Sequence, residues 1–426
     1  MINRTNAPDF KTIEKIDIIH AESMKLDNGI PVFTINAGSQ ELSKVEFIFK
    51  AGMYFQERTL LSSATNTLLE CGTSKYSALQ ISENIDFFGS FLELGVGQDF
   101  ASVTLYSLNK YLSESLGYVE EILKDAVFPQ QEIDIYLANK KQKHLINSKK
   151  VNYLARRKYS QLLFGEKHPY GVDVQNTDFD TLTKDQINQF YRSYYNSANC
   201  FIVVSGKIPG HLHDFLNERF GKNNWGGKNP ALRIPLTIQS TTQNKHLVEK
   251  TDAIQSAIRV GRILFNKTHP DYFNFQVLNI ILGGYFGSRL MANIREDKGY
   301  TYGIGSSITS LVNSGYFTIS TEVGADVTSN ALEEIYKEIK RLREEPVGAG
   351  ELETVRNYIL GQFLRSVDGP FALAEKFKAI YEFGLDYSYY EKYFQSVKNV
   401  TPAQLMELAN KYLQEKDLIE CVAGKL

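Results

Sequence analysis

The chain has 426 residues, of which 43% are hydrophobic and 23% charged, and its 47 basic and 49 acidic side chains leave a net charge of −2. A single compact core rarely grows to this length, so two or more domains are expected. The near-neutral charge excludes a global attraction to nucleic acid or to an anionic membrane. No stretch reaches the about 18 apolar residues that a membrane-spanning helix requires.

The first half of the chain predicts strands and helices in a defined order. Residues 44–52, KVEFIFKAG, alternate apolar and polar side chains as a strand does. Helices are predicted over 60–70 and 77–88, strands at 91–95 and 101–107, and a long helical stretch from about 110 to 165.

The second half predicts the same order. Residues 257–265, AIRVGRILF, are its first strand. Helices are predicted over 270–283 and 287–297, strands at 302–310 and 315–322, and helices over most of 328–398. Each half therefore has a strand, helices, two antiparallel strands, further helices and a last strand. This order is typical of an α+β fold rather than of alternating βαβ units.

An internal repeat joins the two halves. Residues 182–208 and the C-terminal residues 400–426 both begin with a threonine that can cap a helix, Thr183 and Thr401. Each stretch then has an amphipathic helix, a tyrosine at the same place, and a short strand closed by Gly-Lys and an apolar residue. A repeat of this kind indicates two similar structural units.

The domain boundaries follow from this repeat. We predict an N-terminal domain over 1–220, a linker over 221–245 that is rich in Gly, Asn and Pro, and a C-terminal domain over 246–426. On the sequence alone two readings stay open. The duplication either adds only stability, or its two lobes face each other and enclose a binding space.

Sequence patterns for an enzymatic nucleophile are absent. There is no GxSxG elbow, and Cys200 and Cys421 lie in apolar runs that are typical of inert buried thiols. Three cysteines are too few for a disulfide framework. Because the N-terminal residues also lack the apolar core of a signal peptide, we expect a cytoplasmic protein.

Metal-binding motifs are absent as well. The chain has no HExxH or HxxEH pair, and its densest histidine cluster is His211-Leu212-His213. Polar residues at a helix start, as here, are more often caps or solvated side chains. The glycine-rich residues 283–288 lack the lysine of a phosphate-binding loop and indicate a tight turn before a helix.

Residues 26–73 resemble the opening of the pitrilysin (M16) family of zinc metallopeptidases. The resemblance begins with Leu-Asp-Asn-Gly-Ile at 26–30, continues with Ala51-Gly52, and ends with Cys-Gly-Thr at 71–73. The family places its inverted zinc motif HxxEH between these points. In this register the motif positions are occupied by Ser63, Asn66 and Thr67.

These three residues cannot perform the family's zinc chemistry. The hydroxyls of Ser63 and Thr67 are poor zinc ligands, and Asn66 cannot act as a general base. The family's third ligand is a glutamate about 75 residues further on, where this chain has Lys-Lys-Gln-Lys-His at 140–144. The resemblance therefore implies no metal and no cofactor in this chain.

A second stretch resembles the family's arginine–tyrosine element. A glycine-rich lead ends in Ser-Arg-Leu at 288–290, and Arg295 and Tyr302 follow with the family's spacing. The resemblance implies that Tyr302 donates a hydrogen bond to the oxyanion of the reaction intermediate and that Arg295 binds substrate carbonyls. Tyr300 is a rival donor. Without the family, a helix-end arginine and a strand tyrosine would be ordinary structural residues.

The resemblance covers about residues 25–426 and implies a fold and a function. The expected fold is α+β, with two homologous lobes, each a mostly antiparallel sheet with helices packed on one side, which together form half of an M16 clamshell. The expected function is that of a non-catalytic, substrate-binding subunit of a heterodimeric zinc peptidase. Its partner would be an HxxEH-containing M16 subunit that holds the zinc, and the substrate would be a peptide.

Two alternatives stay open. The chain could be a structural or peptide-holding homologue without peptidase activity, as a homodimer or like the core subunits of a respiratory complex. It could also be an autonomous peptidase with an unusual metal site at His211 and His213.

Overall fold

The structure is a computed structural model that describes residues 16–228 and 236–426. Residues 229–235 of the linker predicted over 221–245 lie outside the described residues. The described parts contain two separate β-sheets, one in each half of the chain.

The first sheet has six strands and is mostly antiparallel. Its strands are β1 (Glu22–Lys25), β2 (Pro31–Asn36), β3 (Leu42–Phe49), β4 (Phe91–Val96), β5 (Ala101–Leu108) and β6 (Cys200–Gly206). Their order is β1-β2-β6-β3-β5-β4, and only β2 and β6 pair in parallel. Strand β4 therefore forms one free edge of this sheet.

The helices of the first half surround this sheet. They are α1 (Leu61–Leu68), α2 (Ala78–Phe87), α3 (Leu112–Asp125), α4 (Gln130–Asn147), α5 (Val151–Phe164), α6 (Asp178–Thr181), α7 (Lys184–Tyr194) and α8 (Leu212–Leu216). The single helical stretch predicted over 110–165 is thus three helices. Pro129, which has no N–H to donate, directly precedes α4 and separates it from α3.

The second sheet repeats the topology of the first with one strand fewer. Its strands are β7 (Lys245–Glu249), β8 (Gln255–Leu264), β9 (Thr301–Leu311), β10 (Ser314–Gly324) and β11 (Ile419–Gly424). The order is β7-β11-β8-β10-β9, and the parallel pair is β7 with β11. It corresponds to the pair β2 and β6, and the edge strand β9 corresponds to β4.

The helices of the second half follow the predicted order. They are α9 (Tyr272–Asn279), α10 (Thr328–Glu344), α11 (Ala349–Arg365), α12 (Pro370–Tyr381), α13 (Ser388–Asn399) and α14 (Pro402–Tyr412). Two segments, Ile280–Gly284 and Met291–Asp297, form wide turns with i→i+5 hydrogen bonds instead of α-helix. Such turns are rare in proteins, and those that occur are often found at functional sites. No helix among the described residues combines the length and the apolar composition that crossing a bilayer requires.

The repeat predicted at the ends of the two halves is present in atomic detail. Thr183 caps α7 and accepts a hydrogen bond from the backbone N–H of Gln186, whose side chain accepts one from the N–H of Thr183. Thr401 and Gln404 form the same capping box at α14. Each box satisfies two N–H groups that a helix start leaves without partners. The sequence signature therefore predicted both helix starts correctly.

Each lobe buries its own helices against one face of its sheet. The largest cluster of the first lobe combines strand residues such as Val45 and Phe47 with helix residues such as Leu116 and Ile187. The second lobe has the equivalent cluster around Val260 and Phe317. The predicted α+β class and the mostly antiparallel sheets are confirmed, and the helices that form each lobe's main core lie on one side of its sheet.

The opposite face of each sheet is covered by a helix from the other half. Helix α5 packs on the second sheet, where the hydroxyl of Tyr159 donates to the carbonyl of Phe317 at 3.1 Å. Helix α12 packs on the first sheet, where the ring centroids of Phe377 and Phe33 lie 4.6 Å apart. This exchange explains why every residue of the central strand β6 is buried. The two lobes are therefore held together by two reciprocal helices.

Candidate functional site

The three positions predicted to correspond to the zinc motif lie on helix α1. Ser63 and Thr67 are four residues apart, so they share one face, and that face meets α4. The hydroxyl of Tyr136 on α4 donates to Ser63 Oγ at 3.2 Å. Burial raises the pKa of Tyr136, and hydrogen bonds with Ser63 and Thr67 partly oppose this rise. The phenol therefore stays neutral and bridges the two helices.

Asn66, at the position of the family's catalytic glutamate, faces the protein core. It is 1% exposed, and its Nδ2 donates to the hydroxyl of Tyr195 at 3.1 Å and to the carbonyl of Ser102 at 3.3 Å. Its Oδ1 has no hydrogen-bond partner among the described residues. The amide links α1 to the first sheet, and it has no group that could take a proton from water.

The basic stretch on α4 completes this site. The ammonium of Lys140 lies 5.2 Å from the ring centroid of Tyr136, and burial together with the charge of Lys143 lowers the pKa of Lys140. Hydroxyl, amide and ammonium groups do not form a donor set for zinc. Within the described residues, no group of three or more His, Cys, Asp or Glu side chains is placed to hold a metal.

The histidines at the start of α8 contact protein groups. The ring of His211 packs edge-on against Phe215 with centroids 4.5 Å apart. His213 has its Nε2 at 3.4 Å from the carbonyl of Lys25 and its Nδ1 at 3.8 Å from Asp214. These two rings and the carboxylate of Asp214 are not placed to hold a metal together in the part of the chain that the structure describes.

Arg295 and Tyr302 lie together at the free edge of the second sheet. Arg295 belongs to the wide-turn segment before β9, and its guanidinium lies 5.7 Å from the ring centroid of Tyr302. On its other side it lies 4.6 Å from the centroid of Phe286. The ring of Phe286, 63% exposed, and that of Tyr302 therefore form two aromatic walls around the cation.

One ion pair and one pair of hydrogen bonds fix the backbone that carries Arg295. Arg289 makes a bidentate pair with Glu351 on α11, at 2.9 and 2.8 Å. Asn293 Nδ2 donates to Glu334 at 2.8 Å and to Glu338 at 2.7 Å on α10. The arginine of the Ser-Arg-Leu lead is therefore a structural anchor, whereas Arg295 forms no salt bridge among the described residues.

The two candidate tyrosines differ in exposure. Tyr302 is 94% exposed at the start of β9, whereas Tyr300 packs against the core of the second lobe. A hydroxyl that must meet a substrate needs to be accessible. The geometry therefore favours Tyr302 over Tyr300 as the donor.

A β-bulge aims Tyr302 away from its sheet. Thr301 pairs with Val323 and Ile304 with Thr321, so two residues of β9 stand opposite one residue of β10. The hydroxyl of Thr301 donates to the carbonyl of Glu322 at 2.7 Å, and that of Thr321 donates to the carbonyl of Gly303 at 3.0 Å. The two threonines satisfy the backbone groups that the bulge removes from the ladder, and bulges redirect side chains next to functional sites.

Comparison with known proteins supports the resemblance to the M16 family. A sequence profile described as the peptidase M16 inactive domain matches residues 181–359. The chain is also 24% identical over 306 residues to an uncharacterized zinc protease, YmxG, from Bacillus subtilis (strain 168), covering 70% of this chain and 72% of that protein. Residues 181–359 therefore match the peptidase M16 family. The resemblance of the chain's motifs to that family is thereby confirmed.

Two further comparisons place this M16 homologue among inactive relatives. It is 22% identical over 325 residues to a non-peptidase homolog, YmxG, from Helicobacter pylori (strain ATCC 700392 / 26695), covering 74% of each chain. Its fold matches the peptidase M16 inactive domain from Pseudomonas fluorescens with a TM-score of 0.85 and 20% identity, over 95% of this chain and 98% of that chain. The clamshell-half fold expected from the motifs is confirmed.

Sequence reasoning missed three residues that shape the site of this M16 homologue. Phe286 was assigned to a tight turn, and Thr301 and Thr321 were ordinary strand residues. The aromatic residue inside a glycine-rich turn was the one available signal, since a large exposed ring is costly unless it contacts something. The threonine pair gave no signal because its role depends on the register between β9 and β10.

Proposed function

We propose that this M16 homologue is the non-catalytic, substrate-binding subunit of a heterodimeric zinc peptidase. It supplies Arg295 and Tyr302 in trans to the HxxEH site of a partner M16 subunit. The single observation that carries the proposal is the Arg295–Tyr302 pair, in which Arg295 lies against Phe286 and Tyr302 while Tyr302 is almost fully exposed.

The unequal state of the two lobes supports a role in trans. In the first lobe Ser63, Asn66 and Thr67 are engaged with Tyr136, Tyr195 and backbone groups. In the second lobe a guanidinium and a phenol, both strong donors toward negative charge, are held ready at a sheet edge. A chain that keeps the donors and lacks the metal ligands needs the metal from elsewhere.

The edge of β9 offers a place for the peptide. It ends the order of the second sheet, and the bulge at Tyr302 interrupts its pairing with β10. An extended peptide can add to such an edge through backbone hydrogen bonds. Arg295 would then bind substrate carbonyls close to the bond that is cleaved.

The proposed roles of the two subunits in the reaction follow from the charges that each supplies. The zinc of the partner activates a water molecule, and the glutamate of the partner's motif takes its proton. When that water attacks the peptide carbonyl, negative charge develops on the carbonyl oxygen. The hydroxyl of Tyr302 donates a hydrogen bond to this oxygen, and the positive charge of Arg295 stabilises the bound backbone.

A second candidate function has its own support. The Helicobacter pylori relative is described as a non-peptidase homolog. In this reading the chain binds or holds peptides as a homodimer or as part of a larger assembly, without any hydrolysis. In that case Arg295 and Tyr302 would have no catalytic role.

One reconstitution experiment separates these functions. The purified chain is mixed with an HxxEH-containing M16 subunit from the same organism, and complex formation is measured by size-exclusion chromatography with light scattering. Hydrolysis of short fluorogenic peptides is then followed with and without a chelator. We expect a heterodimer whose chelator-sensitive kcat/KM falls about ten- to a hundredfold with Arg295→Ala. Absence of a complex, or an unchanged rate with Arg295→Ala, would contradict the proposal.

Phe286 is expected to hold Arg295 in its binding position. Phe286→Leu keeps an apolar side chain but removes the aromatic face, which contributes about 0.5–1 kcal/mol at an exposed site. KM of the heterodimer should therefore rise about two- to fivefold while kcat stays constant. Phe87→Leu, at an 81% exposed phenylalanine on α2, is the matched control and should change neither constant. A fall in kcat without a change in KM would show that Phe286 acts in another way.

The bulge is expected to set the position of Tyr302. Thr321→Val preserves the shape of a 4% exposed residue but removes its hydrogen bonds to Gly303 and Thr301. Because a displacement of about 1 Å at a reacting group can cost about a hundredfold in rate, kcat should fall tenfold or more. Thr318→Val on the same strand, whose hydroxyl hydrogen-bonds the carbonyl of Ile319 and the side chain of Tyr159 rather than the bulge, should leave kcat unchanged. Equal kcat values for Thr321→Val and Thr318→Val would show that the bulge does not contribute to catalysis.

A further inference from the structure

A cavity lies in the first lobe, beside the edge strand β4. Its volume is about 340 Å³, and its walls are Ala78, Ile81 and Ile85 of α2 together with Leu92 of β4. This volume is at the lower end of the about 300–1,000 Å³ typical of ligand sites. These four residues form an apolar wall, and Leu92 lies on the edge strand of the sheet.

The floor of this cavity holds an unpaired carboxylate. Glu70 lines the cavity, and burial raises its pKa. Among the described residues no lysine, arginine or hydrogen-bond donor lies within bonding distance of its carboxylate, and the nearby Lys75 is paired with Glu121 instead. A half-buried carboxylate without a partner loses solvation and gains nothing in return.

The surroundings of the cavity are also negative. Asp86 lies at the exposed rim, at the end of α2. Burial, followed by the charges of Glu132 and Glu70, raises the pKa of the Cys71 thiol in the cavity wall to about 12. The thiol therefore stays neutral, and the site as a whole attracts a cation.

The geometry of β4 determines what kind of cation can enter. Leu92, Leu94 and Val96 point to the face that α2 covers, because side chains alternate along a strand. A peptide strand that pairs with the free edge of β4 places every second side chain on this same face. The residue opposite Leu92 would point into the cavity.

We propose that this cavity binds the side chain of a lysine or arginine in a peptide that adds to the first sheet at β4. The methylene groups would contact Ile81 and Ile85, and the cationic head would reach Glu70 at the floor and Asp86 at the rim. Long basic side chains combine an apolar stem with a charged end in this way. The inference rests on the proposed peptide-binding function, and it assigns a basic side chain to the substrate.

The test uses the isolated chain and two fluorescein-labelled nonapeptides. Each peptide alternates serine and valine around one central residue, which is lysine in one and norleucine in the other, and its ends are blocked. Because the other positions repeat serine and valine, the peptide can pair with β4 in the register that places its central residue at the cavity. Binding is measured by fluorescence anisotropy. We expect the lysine peptide to bind about tenfold or more tightly than the norleucine peptide.

Variants locate the preference. Glu70→Gln should remove the advantage of lysine without weakening the norleucine peptide, and circular dichroism reports whether it folds. Asp86→Asn changes an exposed residue and should reduce the advantage severalfold even if the first variant is unstable. Glu83→Gln, an exposed carboxylate of α2 that does not line the cavity, is the matched control and should keep the full advantage.

Three outcomes would overturn the inference. They are equal binding of the two peptides, a lysine advantage that survives both Glu70→Gln and Asp86→Asn, and failure of the lysine peptide to bind. Because no partner and no hydrolysis are involved, these outcomes leave the Arg295 test of the heterodimer intact. Conversely, an inactive heterodimer would not abolish the lysine advantage of the isolated chain.

Discussion

Replacing Tyr302 by phenylalanine in the heterodimer is expected to lower kcat about 10²–10³-fold, which is the cost of removing one oxyanion donor. KM should change little, because the lost hydrogen bond forms only when negative charge develops on the substrate carbonyl. The aromatic ring that contacts Arg295 at 5.7 Å stays in place, so the variant removes the hydroxyl alone. Steady-state kinetics on a short fluorogenic peptide would measure both constants.

Tyr300→Phe is the matched control for this prediction. Tyr300 is two residues away and packs against the core of the second lobe, so its hydroxyl should not reach the substrate. We expect the kcat of this variant to stay within about twofold of the wild-type value. Substitutions away from a functional contact rarely change a free energy by more than about 0.5 kcal/mol. A large loss with Tyr300→Phe and none with Tyr302→Phe would assign the donor role to Tyr300.

Lys44→Met is expected to lower the free energy of unfolding by about 3–5 kcal/mol, the usual cost of removing one partner from a buried ion pair. Lys44 on β3 is 5% exposed, and its Nζ lies 3.0 Å from Glu46 and 2.8 Å from Glu375 on α12. Lys378 of α12 bonds to both carboxylates. Two charges of each sign thus join the first sheet to the helix from the other half.

The pH dependence follows from the pKa of Lys44. Burial alone would lower this pKa, but the charges of Glu46 and Glu375 outweigh burial and raise it above the ordinary lysine value of 10.5. Stabilisation by the charged amine is therefore complete below about pH 10.5 and is lost as the pH rises through the raised value. The difference in stability between wild type and Lys44→Met should persist at neutral pH and shrink only in strong alkali.

Urea denaturation measures this effect, with Lys207→Met as the control. Lys207 pairs with Glu41 at 3.0 Å, and both side chains are largely exposed, so its loss should cost no more than about 1 kcal/mol. If Lys44→Met were as stable as Lys207→Met, the charged cluster would not hold the two halves together.

The parts of the fold that the sequence predicts well depend on short-range chemistry. Thr183 with Gln186, and Thr401 with Gln404, are three residues apart, so the capping boxes can be recognised in the sequence and start the helices at the predicted residues. Local sequence patterns likewise placed four strands of each sheet, whereas β1, β2 and β7 were not predicted. Because both signals recur in the same order, the duplicated α+β architecture could be predicted without a structure.

Long-range contacts limited the rest. The alternation of residues 44–52 predicts one buried and one polar face, yet Lys44 and Glu46 on the polar face are also buried, because α12 arrives from a position more than 300 residues away. No local sequence pattern predicts that α12 packs against the first sheet. A helix that carries Glu375 and Lys378 to meet them is visible only once the chain is folded.

The candidate site shows the same division. The register of the motif identified Ser63, Asn66 and Thr67 as unable to bind zinc, but it did not reveal that Tyr136 would contact Ser63. The spacing of Arg295 and Tyr302 suggested a pair, and the structure places them next to each other. Their assignment to catalysis stays a prediction.

The most direct test of the central claim is a complementation assay of kcat/KM. The HxxEH-containing partner is assayed alone, with the wild-type chain, and with the double variant Arg295→Ala/Tyr302→Phe, while size-exclusion chromatography verifies that both mixtures form the heterodimer. The account predicts chelator-sensitive hydrolysis with the wild-type chain and at least a hundredfold less with the double variant, roughly the cost of one lost oxyanion donor. Equal kcat/KM for the two heterodimers would contradict it, as would zinc-dependent hydrolysis by this chain alone.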